Sequence, residues 1–123
     1  MSDSRQQVGA RGEDLACEHL RQSGLEILER NFRTARGELD IVAFDGRRIV
    51  FAEVKTRTAA SGQLNPMFSI GLRKQRQVRA MASRWLSERR ERPHVRELRC
   101  DAIGVILSPA GELLALEHLP GAF

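Results

Sequence analysis

Tyrosine is absent from this 123-residue chain, and its few phenylalanines and single tryptophan bring the aromatic content to only 5%. So sparse a set argues against a platform that grips single strands by stacking bases on rings. Cysteine occurs only as Cys17 and Cys100, with no Cys-x-x-Cys spacing, which excludes a disulfide framework and a zinc ribbon. Both thiols sit among apolar neighbours and read as buried free cysteines of a reducing cytoplasm. No apolar run is long enough to span a bilayer, so no membrane partner is expected. Residues 1–12 are polar and mixed in charge, unlike a secretory signal. Internal repeats, low-complexity tracts and a glycine-rich phosphate loop are missing, and His19, His94 and His118 are scattered without metal-ligand spacing.

What is present is enough for a core. An apolar content of 41% against 29% charged residues fits one soluble domain, expected over residues 9–123 behind a flexible N-terminus of residues 1–8. The net charge of +4 is unevenly spread. Between Gly71 and Arg99 ten basic residues face three acids, so this segment alone is +7 and the remainder is −3. A one-sided basic stretch attracts polyanions and binds them in a salt-dependent way. The same arginines could equally be a solvated helix face.

Periodicity orders the chain as helix, three strands, helix, two strands. The first helix is expected over residues 8–22, with Val8, Leu15, Ala16 and Leu20 on its apolar stripe and Gly24 as its stop. Strands are expected over 25–32, 38–44, 48–57, 96–107 and 113–119, with a turn at 34–37 and a loop over 58–69. Residues 70–90 form the second helix, with Val78, Met81, Ala82, Trp85 and Leu86 buried. Apolar residues on both faces of the central strands imply an α/β fold: a mixed five-stranded sheet flanked by helices.

The strands over 38–44 and 48–57 surround Asp45-Gly46, a strong hairpin signal. A two-residue turn there pairs even positions with odd ones, and side chains alternate faces along each strand. Glu38, Asp40, Glu53 and Lys55 are therefore expected on one side of the hairpin. A carboxylate cluster in an apolar sheet needs pairing, protonation or a cation. Asp40 and Glu53, a strand apart, suit a hard divalent ion such as magnesium or manganese. Lys55, one of only two lysines, could contact a metal-bound water or a phosphate oxygen. A structural ion-pair cluster is the alternative. Glu13 falls beside the apolar stripe of the first helix, either reaching the sheet or staying a boundary carboxylate. Gln75 lies on the core-facing stripe of the second helix, where its amide could orient a phosphate or bond a backbone carbonyl. Asp101, inside an apolar strand, reads as a structural hydrogen-bond acceptor.

Asp40 followed by Glu53-Val54-Lys55 resembles the acid and acid-x-lysine signature of restriction-endonuclease-like nucleases. More closely, Gly12-Glu13, Asn31-Phe32-Arg33, residues 37–42 (Gly-Glu-Leu-Asp-Ile-Val), residues 51–57 (Phe-Ala-Glu-Val-Lys-Thr-Arg) and Ala122-Phe123 resemble the bacterial YraN family. The resemblance implies a restriction-endonuclease-like core related to archaeal Holliday-junction resolvases. It implies that Glu13, Asp40, Glu53 and the Val54 carbonyl hold magnesium or manganese while Lys55 assists phosphodiester hydrolysis. Gln75 falls where several superfamily members carry a helical glutamine. Leu39 replaces the superfamily proline before the aspartate, and residues 61–66 match the family less well. On this reading Glu38 supports the site as a base or a partner for Arg57, and Arg57, Arg73, Lys74, Arg76 and Arg79 hold backbone phosphates. The expected substrate is DNA, duplex or branched, in repair or recombination, with a homodimer plausible. A nucleic-acid-binding protein that cleaves nothing is the rival.

Overall fold

A computed structural model describes residues 4–59 and 70–123. Its elements are α1 (Ser4–Gln22), β1 (Glu26–Thr34), β2 (Gly37–Phe44), β3 (Arg48–Thr58), α2 (Leu72–Glu88), β4 (Glu97–Leu107) and β5 (Leu113–Leu119). The strands form one sheet in the order β1-β2-β3-β4-β5. All neighbours are antiparallel except β3 and β4, which run parallel and are joined by the crossover through α2. The expected α/β architecture with a five-stranded mixed sheet is therefore the observed one.

Each helix covers one face. Ala16, Cys17 and Leu20 of α1 pack on Ile41, Ala43, Val50, Ala52, Ile103, Val105 and Leu107. Val78, Met81, Ala82 and Trp85 of α2 pack on Phe32, Leu39, Val42, Ile49 and Phe51. Burying a Leu, Ile, Phe or Met side chain contributes roughly 1.5–3 kcal/mol, so this two-sided core dominates the stability. Cys17 and Cys100 are free thiols, the first buried and the second half-buried. No helix among the described residues is long and apolar enough to cross a membrane.

Several boundaries differ from expectation. Helix α1 starts at Ser4, so Arg5, Gln6 and Gln7, expected in a flexible N-terminus, are helical. Strand β1 extends to Thr34, which pairs with Gly37, leaving Ala35 and Arg36 as the turn. Strand β3 takes in Thr58, and residues 60–69 of the expected loop, with the 61–66 stretch, lie outside the described residues.

The β2–β3 turn is displaced by one residue. Phe44 pairs with Ile49, and the Asp45 N–H donates to the Arg48 carbonyl at 3.1 Å, so Gly46 and Arg47 occupy the turn instead of Asp45 and Gly46. The Asp45 carboxylate explains this: its Oδ1 accepts the backbone N–H groups of Arg47 (2.8 Å) and Arg48 (2.6 Å). Gly46 supplies the left-handed conformation, with φ +91°. Even positions still face odd ones.

Candidate active site

Strands β2 and β3 pair regularly from Phe44–Ile49 to Ile41–Ala52. Past that point the ladder is interrupted by a side chain. Asp40 Oδ2 accepts the Val54 backbone N–H at 2.8 Å. A buried amide needs an acceptor, and here the carboxylate provides one where the neighbouring strand does not. Asp40 is only 8% exposed as a result.

Asp40 is also where β2 changes faces. Leu39 packs with the α2 layer, whereas Ile41 packs with the α1 layer. Regular alternation would put these two residues on the same face. On β1, Asn31 lies opposite, between the pairs Arg30–Ile41 and Phe32–Leu39, and has φ +54°. Asparagine tolerates this left-handed conformation better than most residues. The alternation expected for Glu38, Asp40, Val42 and Phe44 is therefore corrected. Glu38 lies on the α1 side, lining a cleft with Glu13, while Val42 faces α2. It pairs with Arg33 at 3.2 Å.

Glu53, on the α2 side of β3, meets Asp40 at this crossing. Burial, followed by the Asp40 charge, pushes the Glu53 carboxyl up to about 8. Burial also raises Asp40, against the pull of the Val54 N–H. Glu13 arrives from α1. Gly12 lies so close to Thr56 that a Cβ there would overlap the threonine side chain, and this close approach seats Glu13 beside Asp40. Burial and then Asp40 push Glu13 up to about 7. Its Oε1 is buried without a hydrogen-bond partner. Asp40 thus has a carboxylate neighbour from each of two further elements, Glu53 of β3 and Glu13 of α1, and burial raises all three, so each prefers a proton or a cation.

A lysine from α2 answers part of that demand. Lys74 Nζ lies 3.3 Å from Glu53 Oε1 and donates to Gln77 Oε1 at 3.1 Å. Gln77 in turn donates through Nε2 to the Arg36 carbonyl at 3.2 Å, and Gly37 leaves room for it, since a Cβ there would come within 2.6 Å of Nε2. Lys74 was expected only at a phosphate; its place beside Glu53 is a tertiary fact, hinted at in the sequence only by the rarity of lysine. Period two carries Lys55 to the Glu53 side of β3, and its side chain is exposed.

The remaining expected residues are dispersed. Gln75 Nε2 donates to the Ile70 carbonyl at 2.7 Å, the backbone-bonding alternative. Arg57 lines the cleft of Glu13, Glu38 and Asp40, whose volume is about 530 Å³. Arg73 and Arg76 line a groove on the exposed side of α2, whereas Arg79 lies on its other flank beside Phe51 and Cys100. Several other basic residues of the segment are structural. Arg89 forks onto Glu29 at 2.8 and 2.7 Å, and Arg99 onto Asp101 at 2.8 and 2.9 Å.

Asp101 is fully buried, and besides Arg99 it contacts His118 Nε2 at 2.7 Å, while His118 Nδ1 lies 3.1 Å from His19 Nε2. The sheet thus joins two histidines that are unrelated in sequence spacing.

For a metal, hard oxygen donors are on hand: the Asp40–Glu53 pair, the unpartnered Glu13 oxygen and the Val54 carbonyl. Among the described residues no set of three Asp, Glu, His or Cys side chains closes into a metal cage. Magnesium keeps several waters and is commonly held by one or two carboxylates, so the residues fit such an ion without a closed cage.

The fold and site define a small α/β protein with a carboxylate-lined cleft at a strand crossing. The chain belongs to the uncharacterised protein family UPF0102, whose model matches residues 12–105, in agreement with the YraN-like motifs. It is 43% identical over 124 residues to a UPF0102 protein of Geobacter metallireducens, covering 100% of this chain and 97% of the relative. A UPF0102 protein of Syntrophotalea carbinolica is 44% identical over 124 residues, covering 100% and 96%. One from Dictyoglomus turgidum is 37% identical over 120 residues, covering 98% and 99%.

Proposed function

We propose that this protein is a magnesium- or manganese-dependent nuclease with a restriction-endonuclease-like core, hydrolysing phosphodiester bonds in duplex or branched DNA. The observation that carries the reading is Asp40 where β2 leaves β3, with Glu53 and Glu13 each brought beside it and one buried Glu13 oxygen left unpartnered. Asp40, Glu53, Glu13 and the Val54 carbonyl are the groups that would hold the ion, which when bound would supply a nucleophilic water near neutral pH and offset charge on the phosphate. In the reaction a water oxygen bonds to phosphorus as the bond to one sugar oxygen breaks, and that leaving oxygen takes up a proton. Lys55 orients the phosphate or the attacking water, and Lys74 holds Glu53 in place. Arg5 and Arg57, which also line the cleft, receive flanking phosphates.

The test is cleavage of labelled duplex and four-way branched DNA in magnesium or manganese. Asp40→Asn is expected to lower the rate at least about 100-fold, Lys55→Ala about 10²–10³-fold, and chelation to abolish it. Variants that cut as fast as wild type would remove the assigned centre. The rival, a binding protein that cleaves nothing, draws on the Glu53–Lys74 ion pair, which lets the cluster serve structure alone. It predicts salt-sensitive DNA binding with no product in any metal.

A further inference from the structure

Three concavities around the β1–β2 turn share lining residues. The acidic cleft and a saddle of about 470 Å³ have Glu38 in common. The saddle and the groove along α2, about 900 Å³, have Arg36 and Gln77 in common. The hollows therefore adjoin in series, a path from the cleft, over the turn, and along the exposed side of α2 with Glu38 and Gln77 at its two junctions. Charge along it is ordered. The cleft sets Glu13, Glu38 and Asp40 against Arg5 and Arg57, whereas in the saddle and the groove Arg33, Lys74, Arg36, Arg73 and Arg76 outnumber Glu38 and Glu88. Among the described residues, Arg36, Arg73 and Arg76 have no ion-pair partner. Arg84 pairs with Glu88 at 2.9 Å and closes the far end.

We infer that this path is a one-sided track for a nucleic-acid backbone, with the carboxylate cluster at one end of the bound polymer and not at its middle. The groove carries arginines with Ala80, Ser83 and Ser87 and no aromatic side chain, so it grips phosphates and leaves bases unread. Its span from Arg73 to Ser87 is about 21 Å at 1.5 Å per helical residue. That length corresponds to roughly six nucleotides at 3.4 Å each. The inference rests on the nuclease reading for the meaning of the cleft but concerns binding, which is measured without cleavage.

The experiment is fluorescence anisotropy of 6-, 12- and 24-base-pair duplexes in chelator, over a salt series. Wild type is compared with Arg73→Glu/Arg76→Glu on the track and Arg90→Glu/Arg96→Glu off it. Both pairs change the charge equally and both alter exposed positions; thermal melts confirm that each variant is folded. The track pair is expected to lose at least about 30-fold in affinity for the longer duplexes and to flatten the salt slope by about two, the off-track pair less than threefold. Equal losses in both pairs would overturn the track by showing unspecific attraction. Wild type that binds polyglutamate as well as DNA would also overturn it. If the track pattern holds but no metal yields product, the track stands and the nuclease reading fails.

Discussion

Asp40 does two incompatible things for an ordinary strand residue: it faces neither layer cleanly, and it caps an amide that the sheet leaves open. Its carboxylate is thereby fixed beside Glu53, and the electrostatic cost appears in the neighbours. Glu13 and Glu53 bind protons more tightly folded than unfolded, with carboxyls raised to about 7 and about 8 from 4.5. The folded state therefore holds more protons across this range, and stability falls as pH rises from about 4.5 towards 8. Glu53→Gln removes one such group. Metal-free melts from pH 5 to 9 are expected to show a flatter profile for this variant, with a Tm about 2–5 °C above wild type at pH 8.5. Magnesium is expected to raise the wild-type Tm at that pH and to leave the variant nearly unchanged. A steeper profile in Glu53→Gln would refute the charge congestion.

Among the elements, α1 is positioned by one contact at each half. Midway along it, Gly12 meets Thr56 without space for a methyl group. Gly12→Ala is expected to cost about 1–3 kcal/mol in urea denaturation and, on the proposed nuclease reading, to lower cleavage more than stability predicts, because Glu13 moves with the helix. Near its end, His19 reaches the sheet through His118 and Asp101. Despite burial, the His118, Arg99 and Gly121 contacts hold the Asp101 carboxyl below the usual range. An ionised carboxylate can only accept, so His118 Nε2 donates to it, and in the neutral imidazole Nδ1 is left to accept from His19. Asp101 contributes stability that is present above its unfolded pKa and disappears as pH falls through its folded value. His19 is lowered from 6.5 by burial and then by His118. The unfolded chain therefore binds its proton first, and stability drops as pH falls below 6.5. His118→Gln is expected to shrink that acid-side loss in pH-dependent melts. An unchanged slope would assign it elsewhere.

Much of this element structure is readable beforehand, and the failures have local causes. Both helices, all five strands and the even–odd pairing of β2 with β3 follow from periodicity and a turn signal. The shifted turn follows from Asp45 bonding two downstream amides, a competition between side chain and backbone that periodicity ignores. The changed side of Glu38 follows from the Asn31–Asp40 crossing, visible only once two strands are paired. Asp40 and Glu53 could be brought together on paper because they are neighbours across a hairpin. Lys74 could not, since its partner is fixed by how α2 lies on the sheet, and the His19–His118 contact depends on strand order.

At the scale of the whole molecule, the charge of the basic stretch from α2 to β4 divides into two uses. Glu29 and Asp101 consume Arg89 and Arg99 in holding layers together, and Glu53 consumes Lys74. Among the described residues Arg73, Arg76, Arg79, Arg90 and Arg96 have no ion pair and remain for solvent or a polyanion, and of these Arg73 and Arg76 line the groove. On the proposed reading the groove contributes about two or three to the salt slope for DNA and Arg5 and Arg57 of the cleft about two more, well below what ten basic residues would give. Titration of binding against sodium chloride checks the number, and a slope near ten would return the structural arginines to the interface.

The parallel pairing of β3 with β4 sets the order in which the protein can come into being. The floor beneath α1 includes Ile103, Val105 and Leu107, so the helix bearing Glu13 has no complete seat until late-translated residues have been threaded beside β3. Such a distant strand match is slow relative to hairpin closure. A nascent chain would therefore carry Asp40 and Glu53 as an early hairpin, and Glu13 would be seated beside them only once β4 has been made and paired with β3.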